Sequence, residues 1–108
     1  MDGIISLIKP PGITSHDAIG ICRRILKERR IGHSGTLDPL AYGVLPIFVG
    51  KATRAIEYTE SIGKTYVAEC KFGVETDTED STGNVLHTLD MTEAPSWDEL
   101  EQAVQSFK

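Results

Sequence analysis

Asp38 is the single acidic residue in the stretch GHSGTLDPLAYGVLP, residues 32–46, where glycines, prolines and apolar side chains surround it. Gly32, Gly35, Pro39 and Gly43 follow one another too closely for a helix, so a tight loop is expected there, leading into an apolar strand at 44–49. A carboxylate held on a loop between ordered segments can attack an electrophilic carbon or take a proton. An Asp before a proline also caps turns for purely local reasons, and spacing alone favours that second role. His33, Tyr66 and a run of cations are the other groups with chemistry to offer.

The cations cluster at 23–30, where Arg23, Arg24, Lys27, Arg29 and Arg30 make five of eight residues. Against a formal charge of -5 for the chain this is an asymmetry. Residues 1–74 hold ten Lys and Arg against seven Asp and Glu, whereas residues 75–108 hold one against nine. The average argues against a polyanionic partner; the first part of the chain does not. A solvated helix face explains the run equally well.

Other chemistries fit poorly. His16, His33 and His87 lack metal-ligand spacing, and Cys22 and Cys70 stand far apart in apolar patterns, as buried free thiols would. The string VGKATR is not a phosphate loop, because Gly43 lies too far back for GxxxxGK and Ala52 replaces the required hydroxyl residue. Residues 75–84 resemble a calcium loop only in part, with the turn glycine out of place and no terminal Glu at the required spacing.

The elements that must carry these groups follow from periodicity. Ile4, Ile5, Leu7 and Ile8 predict a buried strand stopped by Lys9-Pro10-Pro11-Gly12. Thr14 or Ser15 can cap a helix over 16–28, with Ala18, Ile21, Cys22, Ile25 and Leu26 on one face. A second helix is expected over 50–61, with Ala52, Ala55, Ile56 and Thr59 inward. Residues 64–72 alternate strictly and predict the clearest strand, in which Tyr66 is by pattern a core aromatic sooner than a site residue. An acidic loop over 75–84, a strand over 85–89, and a helix capped by Ser96 and Glu99 with Trp97, Leu100, Val104 and Phe107 on one face complete the chain. That last pattern runs to Lys108 without a stop signal, so the natural chain is expected to continue. With 40% hydrophobic and 25% charged residues, no apolar run of membrane-spanning length and no signal-peptide layout, a cytoplasmic single domain is expected.

Four stretches in order, KPPGITSHDAIG (9–20), GHSGTLDPLAYGVLP (32–46), VGKATR (49–54) and KTYVAEC (64–70), resemble the N-terminal half of the TruB family of pseudouridine synthases, and the resemblance covers essentially the whole chain. It implies an α+β fold, a mixed and mainly antiparallel sheet flanked by helices, of which residues 1–108 are the N-terminal portion of a catalytic domain. The rest of that domain, an active-site Arg and a C-terminal RNA-binding domain would lie beyond Lys108. The resemblance implies isomerisation of uridine in the TΨC stem-loop of tRNA, without a cofactor or metal and without an obligate protein partner. Asp38 would be the catalytic carboxylate, and Gly35, Thr36, Leu37 and Pro39 would set its loop. Tyr66 would stack on the target uracil and assist loss of its C5 proton, and His33 would help fill the gap left by the extruded base. Lys9, Arg23, Arg24, Lys27, Arg29 and Arg30 are candidates for phosphate contacts. The start of the chain looks like the stand-alone bacterial branch more than the guide-RNA-dependent dyskerin branch. A non-catalytic RNA-binding fragment is the alternative from another class.

Overall fold

Thr14 closes the N-terminus of the first helix. Its hydroxyl accepts from Asp17 N at 2.9 Å while the Asp17 carboxylate accepts from Thr14 N at 3.0 Å, a reciprocal capping box. The Thr14 backbone N–H, then the Thr14 hydroxyl beside it, hold the Asp17 carboxyl below its ordinary value. The helix, α1 (Ser15–Leu26), ends at Lys27, which takes a left-handed conformation with φ of 52°. In the computed structural model, which describes residues 1–90 and 93–108, α1 lies in the first of two compact units, Met1–Lys64; the second is Thr65–Lys108.

The first unit adds β1 (Gly3–Lys9), β2 (Ile31–His33), β3 (Gly43–Val49) and a 3-10 helix, Gly50–Thr59. β3 is the central strand, antiparallel to β1 on one side and to β2 on the other. The register sets Leu7 opposite Leu45, Ile5 opposite Ile47 and Ile31 opposite Val49. Strand side chains alternate between faces, so these residues share one face, and that face meets Ala18 and Ile19 of α1. Leu45 and Ile47 are 1% and 0% exposed there. The opposite face carries Ile4, Ile8, Val44 and Phe48. Ile56 of the 3-10 helix sits 2.8 Å from where a Cβ on Gly32 would be, next to Phe48, which is buried.

Ile4, Ile8 and Val44 remain 62%, 54% and 58% exposed, so β1 is half-covered and not the buried strand its composition suggests. An unbroken apolar run reports what a strand can bury, not which of its faces the chain covers. The expected helix at 50–61 is present but tighter than an α-helix. Thr53 and Thr59 each donate a hydroxyl to the carbonyl three residues back, Gly50 at 2.8 Å and Ile56 at 2.6 Å, bonds that compete locally with regular helix.

In the second unit, β4 (Val74–Thr76) and β5 (Val85–Thr88) form an antiparallel pair with a register shift between Glu75 and Thr76. The loop between them is tied by side chains. Asp77 accepts from Asn84 N at 2.9 Å, and Asp80 accepts from Thr82 N at 2.9 Å and from the Thr78 hydroxyl at 2.7 Å. The Thr82 hydroxyl, then Thr78, hold the Asp80 carboxyl low. Both carboxylates are thus occupied in stabilising the loop. The last helix, α2 (Trp97–Gln105), carries the expected Ser96–Glu99 capping box.

One expectation fails in this unit. Residues 64–72 form no strand; the residues from Lys64 to Phe72 are exposed and irregular, because a strand exists only where another strand accepts its hydrogen bonds, and no described strand does. The apolar side of α2 is likewise uncovered, with Trp97 87% and Phe107 91% exposed. The thiols follow the same logic. Both are free, but Cys22 is half-buried and Cys70 exposed, so neither is the buried thiol expected. The architecture as a whole is α+β with antiparallel sheets and flanking helices. No described helix is long and apolar enough to cross a membrane.

Leu45→Ala removes a fully buried side chain from the centre of the first unit's core and is expected to destabilise the protein by about 2–5 kcal/mol in urea unfolding. Because the folded-state pKa of Asp17 is depressed, its contribution is present above the unfolded value and is lost as pH falls through the lower folded value. Unfolding measured in that acid window should show a shallower fall with pH for Asp17→Asn than for the parent.

Candidate active site

The loop between β2 and β3 presents Asp38 to solvent, and hydrogen bonds on both sides of it restrain the backbone. Ser15, the first residue of α1 and 2% exposed, donates its hydroxyl to Leu37 O at 3.1 Å and accepts from Leu37 N at 2.9 Å. On the far side, Pro39 O accepts from Gly12 N at 2.7 Å and from Lys9 Nζ at 3.4 Å. Asp38 O itself accepts from Ala41 N at 2.9 Å, closing a turn. Among the described residues no group donates to the Asp38 carboxylate, which leaves it free to accept from, or attack, a ligand. The turn foreseen from Asp-Pro is therefore real, and it is made by the backbone of Asp38 while the side chain stays free.

Upstream, Ser34 N donates to Pro46 O at 3.1 Å. The Ser34 and Thr59 hydroxyls lie 2.5 Å apart; Thr59 gives its proton to Ile56 O, so Ser34 is the donor. Gly35 has φ of 73°, a left-handed conformation that favours glycine, and a Cβ there would also meet Lys64 Nζ at 2.8 Å. The Nδ1 of His33 donates to Gly35 O, which fixes the imidazole against its own loop. Thr36 is exposed, and Leu37 is half-buried against the core. The loop residues singled out in the sequence thus assemble around Asp38, with His33 at their start.

Lys9 occupies a different place from the phosphate surface expected for it. It is 0% exposed, and its ammonium donates to Pro10 O at 2.8 Å, Ile13 O at 2.7 Å and Pro39 O at 3.4 Å. An ammonium has three protons, and three carbonyls take them. The basic run is also divided. Arg23 donates from Nε to Arg29 O at 3.0 Å and from its guanidinium end to Ile31 O at 3.2 Å, bracing the turn from α1 into β2. Arg30 Nε donates to the Thr53 hydroxyl at 2.9 Å. Arg24, Lys27 and Arg29 are exposed. Arg24 borders a shallow open depression with His16, Asp17, Gly20 and Ile21. Tyr66 belongs to the second unit, 63% exposed on an irregular segment.

Ser15 was visible in the sequence only as a possible cap, a role that Thr14 takes. The signal that could have found it is its neighbour: once Thr14 caps, Ser15 stands inside the first turn with a hydroxyl that needs another partner. Among the described residues no group of His, Cys, Asp and Glu is placed to hold a metal ion.

A carboxylate on a braced loop, on an α+β scaffold, defines a candidate acid–base or nucleophilic centre. Comparison with known proteins shows the family. The family model of "TruB family pseudouridylate synthase (N terminal domain)" matches residues 23–108, and the chain belongs to that family. A protein of Dehalococcoides mccartyi named tRNA pseudouridine synthase B is 56% identical over 85 residues, covering 79% of this chain and 28% of that one. Its namesake in Streptococcus thermophilus is 51% identical over 108 residues, covering 100% of this chain and 36% of the other. The chain therefore spans about a third of the length of the curated relatives it matches. Among solved structures, a chain in an H/ACA RNP bound to a substrate RNA containing 2'-deoxyuridine is similar with a TM-score of 0.51 and 48% identity, over 52% of this chain and 18% of that one. A chain of the archaeal box H/ACA sRNP Nop10-Cbf5 complex gives 0.50 and 49%, over 51% and 18%.

Lys9→Met keeps most of the volume and removes the ammonium, leaving Pro10 O and Ile13 O without that donor. A loss of about 1–3 kcal/mol is expected in thermal or urea unfolding. Arg24→Ala, at an exposed position, should leave stability within about 0.5 kcal/mol.

Proposed function

We propose that this chain is the N-terminal portion of the catalytic domain of a cytoplasmic tRNA pseudouridine synthase that converts a uridine in the TΨC loop to pseudouridine, with Asp38 as the catalytic carboxylate. The observation that carries the reading is the free, exposed carboxylate of Asp38 on a loop restrained at Leu37 and Pro39, in a chain of this family. The names of the relatives supply the substrate class.

The reaction breaks the N1–C1′ bond of uridine, turns the uracil and joins C5 to C1′, after which the C5 proton leaves. Atoms are conserved throughout, so no oxidant or co-reactant enters. A carboxylate serves by attacking C1′ or C6, or by taking a proton from C2′ so that a glycal forms. In each route the carboxylate must reach the sugar, and the exposure of Asp38 in the free protein suits that requirement. The C1′ and C5 atoms are out of reach in a folded stem-loop, so the target base leaves the stack. His33, held at the start of the loop by Gly35 O, is the side chain to fill the space that the base vacates. Tyr66 offers the chemistry for its role, a ring that can stack on uracil and a phenol that can assist loss of the C5 proton. Arg24, Lys27 and Arg29 are exposed cations available to phosphates.

The likeness to H/ACA chains favours a second reading, in which the enzyme needs a guide RNA and protein partners. Both readings are tested with tRNA labelled with tritium at uracil C5. The full-length protein, with no partner present, is expected to release the label, and Asp38→Asn to lower the rate by about a thousandfold or more. Release that survives Asp38→Asn sinks the catalytic assignment. Release that appears only with guide RNA and partners establishes the second reading.

A further inference from the structure

One hydroxyl makes both hydrogen bonds available to a peptide residue beside the candidate carboxylate. Ser15 Oγ accepts from Leu37 N at 2.9 Å and donates to Leu37 O at 3.1 Å, and Ser15 is 2% exposed. A hydroxyl has one proton and two lone pairs, so this arrangement uses its donor and leaves no competing role for the proton. The Leu37 carbonyl belongs to the peptide plane that ends at Asp38 Cα, and the Leu37 N–H to the plane before it. Fixing both polar groups of Leu37 therefore fixes the backbone that delivers the Asp38 Cα. Pro39 on the other side has its own φ locked by the ring and its carbonyl held by Gly12 N at 2.7 Å. Asp38 is suspended between two restrained residues, and its carboxylate is two rotatable bonds away from a fixed frame.

We propose that Ser15 is a positioning residue for Asp38, and that the α1 terminus, through this one hydroxyl, sets where the carboxylate meets the ribose. The inference rests on Asp38 being the catalytic group. Ser15 is held by the core itself, since Ala18 and Ile19 of the same helix are 2% and 3% exposed. The loop is thereby referred to the rigid part of the unit and not to solvent. Displacement of a reacting group by about an ångström is worth about a hundredfold in rate. The loss falls on the chemical step, because the exposed cations expected at the phosphates lie elsewhere on the chain.

Threonine and valine at position 15 give the decisive pair, since they differ by one oxygen and share any packing penalty of the added methyl. In the full-length protein, with tritiated tRNA, Ser15→Thr is expected to keep kcat within about threefold and Ser15→Val to lose about a hundredfold. KM and tRNA affinity should be the same for both. Ser15→Ala, which adds no volume, should repeat the Val result. Equal kcat for Thr and Val, or a loss confined to KM, overturns the proposal. So does a Val variant that fails to fold beside a Thr variant that folds, because the hydroxyl would then hold the fold and not the site. Asp38→Asn run in the same assay separates the two levels: an inactive Asp38→Asn beside a fully active Ser15→Val removes the positioning role alone, whereas an active Asp38→Asn removes the underlying assignment.

Discussion

A lysine ammonium with no exposed surface is the constraint on which the first unit depends. Burying such a charge is unfavourable unless its protons are all accepted. Lys9 meets that condition with three carbonyls drawn from two separate parts of the chain, Pro10 and Ile13 beside it and Pro39 thirty residues on. Satisfying the charge therefore fixes the geometry. The end of β1, the turn 10–13 and the loop bearing Asp38 must all approach one point; the two prolines in between stiffen the chain, and Gly12 takes the positive φ of 96° that the turn requires. The Gly12 N to Pro39 O bond lies at the same junction and reinforces it.

The sheet explains why this junction sits where a site can form. β1 and β3 pair with Lys9 opposite Gly43, so the chain leaves the sheet at its C-terminal end of β1 and enters it at the start of β3. The loop 34–42 hangs over that end, fastened at Ser34 to Pro46 O and to Thr59, and at Leu37 to Ser15. Those fasteners come from β3, from the 3-10 helix and from α1. A carboxylate left free in the middle of so many backbone bonds is a group whose position is determined while its chemistry is not yet used.

Much of this was legible because it is local. Helix α1 follows from its apolar spacing and a capping residue at Thr14 or Ser15, β3 from an apolar run after a glycine, and the Asp38 loop from the density of Gly and Pro. What was not legible depends on partners far away in sequence. Lys9 reads as a surface cation from its type, because no local pattern reports that Pro39 will bring a carbonyl to it. Residues 64–72 read as a strand from their alternation, but alternation describes how side chains would divide between faces and is silent on whether another strand arrives to pair. The same holds for Trp97 and Phe107, whose spacing marks one face of α2 without supplying the surface that covers it. Arg23 and Arg30, similarly, are alike in sequence to Arg24 and Arg29 and differ only in having a carbonyl or a hydroxyl within reach.

These nonlocal gaps share a direction. The residues left exposed despite an apolar pattern, Ile4, Ile8 and Val44 on the outer face of the sheet, Val67 and Phe72 in the irregular segment, and Trp97 on α2, are spread over both units. The polar network around Asp38, by contrast, is already closed within Met1–Lys64, with the bonds at Ser15, Ser34, Leu37 and Pro39 all made inside that unit. A hydrogen-bonded loop needs only its own few partners, whereas an apolar face needs area. The loop that carries the carboxylate is therefore restrained within its own unit, while these apolar faces stay uncovered. Ser15 and Lys9 belong to both accounts, since each is buried in the first unit and each also holds the Asp38 loop by hydrogen bonds.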